Sequence, residues 1–182
     1  MLTVAEMRSL ARQLPLQKFI EQLGPFALVH QQPTLEQAQA AGLPVNAFTT
    51  CVSEAESVAA GPVALLFAFE ALTVSTLPPL CERDALVVGR QPDSDLVVEE
   101  LSASKRHAVI RWDQASRRCT VEDLGSSNGT FVNGRRVRAE TPLNDGDIIG
   151  FGEAHYWFLL AATLHARLST APQSDLLGSR SG

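Results

Sequence analysis

Apolar positions change their spacing along the chain. Val4, Met7, Leu10, Ala11 and Leu14 recur at helical intervals behind Thr3, which stands at capping-box distance from Glu6. Pro15 interrupts that pattern, a second helical piece runs from Leu16 to Leu23, and Gly24-Pro25 stops it. FALVH then has the makings of a short strand. TLEQAQAAG, with Thr34, Gln37 and Gly42, and SEAESVAAG, with Ser53, Glu56 and Gly61, repeat the cap-and-stop grammar of helices. Residues 1–68 therefore read as a small mixed α/β region.

From about Glu70 the texture becomes that of strands. LTVSTL, ALVVG, DLVV, HAVIRW, CTVEDL, TFVNG, RRVRA, DIIGFG and HYWFLL are short, rich in β-branched or aromatic residues, and separated by Gly, Asn, Asp, Ser or Pro. Turns at such short intervals, with no helices between them, predict a mainly β fold, a sandwich or barrel, over residues 69–162. Ser, Gly, Pro and Gln accumulate after that, and residues 163–182 read as a flexible tail.

Composition narrows the possible chemistry. A chain of 182 residues, 45% of them hydrophobic, has material for one main core and an appendage. Its net charge of -5 disfavours a partner bound through many phosphates, so no nucleic acid is expected and any basic site must be local. Cys51, Cys81 and Cys119 are far apart, with no C-x-x-C spacing, which supports neither a disulfide framework nor a zinc site and fits a cytoplasmic setting. The amino terminus lacks the pattern of a cleaved signal. PVALLFAFEALTV is broken by Glu70 and falls short of the roughly 20 apolar residues of a membrane span. Neither a metal nor a cofactor is expected.

The loops of the β region carry the candidate site. Gly89-Arg90 closes one strand, and Arg90 alone would read as a surface residue. Ser104, Lys105, Arg106 and His107 place a hydroxyl, two cations and an imidazole at the mouth of another. The Ser-His pair has no nucleophile-bearing turn and no third member to orient the ring, so catalysis is not expected. His107 is more simply a histidine that bonds to backbone and ties one loop to another. In DLGSSNGTFVNG, Gly125 and Gly129 permit positive φ, the Ser and Asn side chains offer local hydrogen bonds, and Asn133-Gly134 signals a hairpin. The DGD of residues 145–147 lacks the further ligands of a calcium loop. Arg135, Arg136 and Arg138 read first as a solvated edge strand, with a minor share in holding an acidic peptide as the second reading.

Taken together, GR at 89–90, SKRH at 104–107, DLGSSNGTFVNG at 123–134 and LNDGDIIGFG at 143–152 resemble the forkhead-associated (FHA) domain in order and spacing, over about half the chain. The resemblance implies an FHA-type β-sandwich of two twisted sheets that recognises phosphothreonine through loops at one end. It places Arg90, Ser104 and Lys105 as phosphate ligands, Asn128 on the main chain of the bound peptide, and Ser127 beside it. Gly89, His107 and Gly129 become structural members of the motif, as does Asn133, whose hairpin role already explains it. Alternation along an extended chain would point Arg106 away from Lys105, to cover the surface or pair with Asp123. The implied protein is a non-catalytic adaptor downstream of a Ser/Thr kinase, its partner a kinase substrate or the kinase itself. Phosphate-independent assembly or self-association is the alternative. Residues 1–68, with His30 and Glu36 as surface groups, show no catalytic motif. Thr49-Thr50 reads equally as an internal phosphosite or as strand threonines.

Overall fold

The computed structural model describes residues 2–30, 73–76 and 85–169. The helices expected at 34–42 and 53–61 lie outside these residues, as do Glu36, Thr49-Thr50, Cys51, Cys81 and the chain beyond Ser169.

Two sheets face each other. The first has seven strands, in the order β1 (Leu2–Thr3), β3 (Thr73–Thr76), β2 (Phe26–His30), β12 (Ala154–Leu160), β11 (Ile148–Phe151), β8 (Thr130–Val132) and β9 (Arg135–Arg136). The second has five, in the order β10 (Thr141–Leu143), β7 (Arg118–Asp123), β6 (Ala108–Asp113), β4 (Ala85–Gly89) and β5 (Leu96–Val97). Among the described residues, all pairings are antiparallel except the short β4–β5 ladder. Between the sheets lies a core that includes Leu86, Val88, Ile110, Trp112, Val121, Ile149 and Phe151. This is the sandwich expected from the strand pattern. β10 is an addition to it: Pro142 sits on an edge strand, the position where a missing N–H is tolerated.

Helices cover the outer face of the larger sheet. Thr3 caps α1 (Val4–Gln13) through a complete capping box with Glu6, and α2 (Leu16–Leu23) ends at Gly24, whose φ is 85°. Both follow the sequence expectation. Their apolar residues Val4, Met7, Phe19 and Leu23 form a second core with Ala27, Val29, Trp157 and Leu159. The buried run of β2 is thereby explained. Alternate side chains point to opposite faces, so Phe26 and Leu28 join the inter-sheet core while Ala27 and Val29 meet the helices. β2 pairs with β12 in register from Phe26↔Leu160 to His30↔Tyr156, so the amino-terminal segment extends one of the sandwich sheets.

The carboxyl-terminal expectation needs correction. Ala161–Ser169, placed largely in a tail by sequence, form a further helix, α3. Ala161, Leu164 and Leu168 are buried in the second core, and the His165 ring bonds to the Leu14 carbonyl at 2.8 Å. Three apolar residues at helical spacing suffice there because a prepared apolar face receives them.

Candidate functional site

Three loops meet beyond the ends of β4, β6 and β7. The first contact is between backbones. Arg90 N–H donates to the Ser104 carbonyl at 2.9 Å, Gln91 N–H to the Lys105 carbonyl at 3.1 Å, and His107 N–H to the Val88 carbonyl at 2.8 Å. The chains run so close that a Cβ on Gly89 would lie 2.2 Å from the Lys105 carbonyl oxygen. Gly89 therefore serves close approach, and it is not among the glycines with positive φ.

His107 locks the second loop to the third. The imidazole is fully buried: Ser104 N–H donates to Nδ1 at 3.0 Å, so the ring proton sits on Nε2, which donates to the Gly129 carbonyl at 3.1 Å. Burial lowers its pKa below the ordinary 6.5, against the opposing pull of the Gly129 carbonyl and of Asp123. The ring bonds to backbone on both sides and ties the two loops together, as the sequence suggested.

Asp123 shapes the third loop. Its Oδ2 accepts from the N–H groups of Gly125 and Ser126, both at 3.0 Å, and its Oδ1 accepts from the hydroxyls of Ser126 at 2.5 Å and Thr130 at 2.6 Å. Burial acts to raise its pKa, but the hydrogen bonds from Ser126 and Thr130 and the two backbone donors outweigh it and hold the carboxyl below its ordinary value. Ser126 Oγ in turn accepts from Gly129 N–H at 3.0 Å. The carboxylate is thus occupied by its own loop rather than by Arg106.

These contacts assemble a cleft of about 400 Å³ lined by Arg90, Leu101, Ser102, Ala103, Ser104, Lys105, Arg106, Ser127 and Asn128. Three cations and no carboxylate stand among these residues. Arg90 is exposed, and its Nε donates to the Ala103 carbonyl at 3.2 Å, which fixes the stem and leaves the terminal amino groups for a ligand. Ser104 Oγ accepts from Ser127 N–H at 3.0 Å, so its own proton remains to be donated. Asn128 Nδ2 donates to the Ser102 carbonyl at 2.8 Å, and Oδ1 remains as an acceptor.

All five side chains expected to bind a phosphopeptide, Arg90, Ser104, Lys105, Ser127 and Asn128, line this one cleft. Arg106 lines it too, contrary to the alternation argument. Regular strand pairing begins only at Ala108, so residues 104–107 are loop and their side chains are not bound to opposite faces. Asn133 stands apart at the hairpin, with φ 49°, its Nδ2 on Asp147 at 2.8 Å and its Oδ1 accepting from Ile148 N–H at 2.9 Å. Sequence reasoning missed Leu101, 86% exposed at the rim, and Ser102, whose carbonyl holds Asn128 and whose Oγ accepts from Glu153 N–H at 2.8 Å. Ser102 carried no sequence signal, because its backbone oxygen does half the work. Asp123 with Ser126 three residues on did carry one, as an Asx-type turn.

Other chemistry is sparse among the described residues. They contain no group of three or more His, Cys, Asp or Glu side chains placed to hold a metal, and no helix long and apolar enough to cross a membrane. Burial pushes the Cys119 thiol up to about 12, which makes it unreactive.

Comparison with known proteins is consistent with this geometry. The FHA domain family model matches residues 86–152. The transcriptional regulatory protein EmbR of Mycobacterium bovis is 29% identical over 138 residues, covering 76% of this chain and 34% of that protein. The oxoglutarate dehydrogenase inhibitor of Corynebacterium jeikeium is 36% identical over 80 residues, covering 44% of this chain and 54% of its own length. The chain thus spans between about a third and about half of the relatives it matches. A solved structure from a structural and functional analysis of phosphothreonine-dependent FHA domain interactions is 31% identical, with a TM-score of 0.42, covering 48% of this chain and 84% of that one.

Proposed function

The chain carries an FHA domain over residues 86–152, and we propose that it works as a phosphothreonine-dependent protein-binding module, a non-catalytic adaptor that acts downstream of a Ser/Thr kinase in the cytoplasm. The observation that carries this reading is the cleft in which Arg90, Lys105 and the Ser104 hydroxyl converge with no carboxylate among them.

A phosphorylated side chain brings about -1.5 to -2 charges and three strong acceptor oxygens. Arg90 supplies planar paired donors, Lys105 a mobile point charge, and Ser104 a neutral donor set by Ser127 N–H. Asn128, held through Ser102, presents Oδ1 to a peptide N–H and so fixes register without reading a side chain. Ser127 flanks that contact, while Gly89, His107 and Gly129 keep the loops together and Asn133 fixes the neighbouring hairpin. The fitting partner is a protein phosphorylated on threonine in an extended segment, either a kinase substrate or the kinase itself.

Calorimetric titration of the full chain with phosphothreonine peptides and their unphosphorylated counterparts tests the proposal. Hydrogen bonds to charged groups contribute about 1.5–3 kcal/mol, so Arg90→Ala should weaken binding by about tenfold to more than a hundredfold while leaving the fold intact. Equal affinity for the phosphorylated and plain peptides would instead favour phosphate-independent assembly.

A further inference from the structure

The hairpin of β8 and β9 brings a further cation against Gly129, the residue that follows the cleft residue Asn128. β9 is an edge strand whose two arginines are exposed, and its register sets Arg136 opposite Phe131 and Arg135 opposite Val132. Val132 belongs to the inter-sheet core, so the alternate pair Phe131 and Arg136 lies on the other face of the sheet. From there the Arg136 side chain reaches back to the residue that follows Asn128. A Cβ on Gly129 would meet its Nε at 2.9 Å, Cζ at 3.2 Å and Nη2 at 3.3 Å. Gly129, with φ of 90° and no side chain, leaves the space that the guanidinium occupies.

Among the described residues the Arg136 side chain has no hydrogen bond and no ion pair, its backbone being paired with β8. Its N–H donors are therefore available, one residue along the chain from the amide expected to hold the peptide backbone. Arg138 lies beyond β9, and Arg135 is on the opposite face from Arg136. A charge at this place is screened over about 8 Å at physiological salt, so it bears chiefly on peptide residues bound beside Asn128.

We propose that Arg136 is a second anion-recognising side chain of the peptide groove, selecting partners that carry an anionic side chain near the phosphothreonine, on its Asn128 side. This rests on the phosphothreonine reading above. The chemistry required is an exposed oxyanion, which a Glu or Asp carboxylate or a second phosphate supplies.

The test is fluorescence anisotropy on the full chain with phosphothreonine peptides of alanine background, in which Glu, phosphoserine or Lys replaces each flanking alanine in turn. At one position, or two adjacent ones, Glu should bind about two- to fivefold more tightly than Ala, the range of an exposed ion pair. Phosphoserine should match or exceed Glu, and Lys should bind more weakly than Ala. Arg136→Gln and Arg136→Ala should erase that ranking and leave the alanine-background peptide within about twofold of wild type, while Arg138→Ala keeps the ranking. Indifference of the wild type to charge at every position would overturn the proposal. So would a ranking that survives in both Arg136 variants, or an equal loss for all peptides in both, which would make Arg136 a support for the Gly129 turn. Failure of every phosphothreonine peptide to bind the wild type would instead defeat the phosphate cleft itself, and this proposal with it.

Discussion

At Gly89 the Lys105 carbonyl occupies the place where any other residue would carry its first side-chain atom, 2.2 Å from an ideal Cβ. Since the obstacle is backbone, relief requires the β4 end and the Ser104 loop to part, and with them the bonds from Arg90 N–H and Gln91 N–H. Gly89→Ala should therefore destabilise the protein by about 1–3 kcal/mol, as overpacking does. It should also weaken phosphopeptide binding while Arg90, Ser104, Lys105, Ser127 and Asn128 all remain present. Urea denaturation and calorimetric titration of the same variant check both halves. At this scale the sequence was informative wherever the chemistry restricts the choice of residue, and it singled out Arg90, Ser104, Lys105, Ser127 and Asn128, which line one cleft. It was silent on Ser102, whose carbonyl would serve as well from many other residues, and misleading on Arg106, where a strand's alternation was extended into a loop.

Among the elements, α3 shows what a periodicity reading can miss, and β2, legible as a strand in FALVH, shows that the strand's partner is not. β2 is buried on both faces, so it lacks the alternation of a half-exposed strand, and its place beside β12 depends on a pairing more than a hundred residues away in sequence. α3 has modest amphipathicity, and its formation depends on the face that β2, β12, α1 and α2 prepare. Leu168 is fully buried in that second core. Leu168→Ala should cost about 2–5 kcal/mol by loss of transfer energy and creation of a cavity. Because the cleft lined by Arg90 and Asn128 is built by other elements, peptide affinity of the folded variant should stay near wild type. Thermal denaturation followed by peptide titration below the melting temperature separates the two effects.

For the molecule as a whole, His107 links stability to pH. Its imidazole is neutral in the folded state, with a pKa below the ordinary 6.5 because burial disfavours the charged form. As pH falls from 6.5 toward that lowered value, the unfolded chain binds a proton that the folded chain resists. His107 thus adds stability that is complete above 6.5 and is lost through this window. Protonation at Nδ1 would also set a second donor against Ser104 N–H, in the loop whose Ser104 hydroxyl lines the cleft. Denaturant titrations between pH 7.5 and 5.5 should show falling stability, with a shallower fall in His107→Gln; an identical slope in both would remove His107 as the cause.

β12 places Tyr156 and Phe158 in one core and Trp157 and Leu159 in the other. A protein trimmed to the stretch matched by the family model would lose this strand entirely. One trimmed instead just after Leu160, and lacking residues 1–30, would present an indole ring and a leucine to water along a sheet edge with no neighbour. The smallest fragment that keeps both cores covered is therefore larger than the smallest recognisable motif, and the helical layer is what stands between the second core and water.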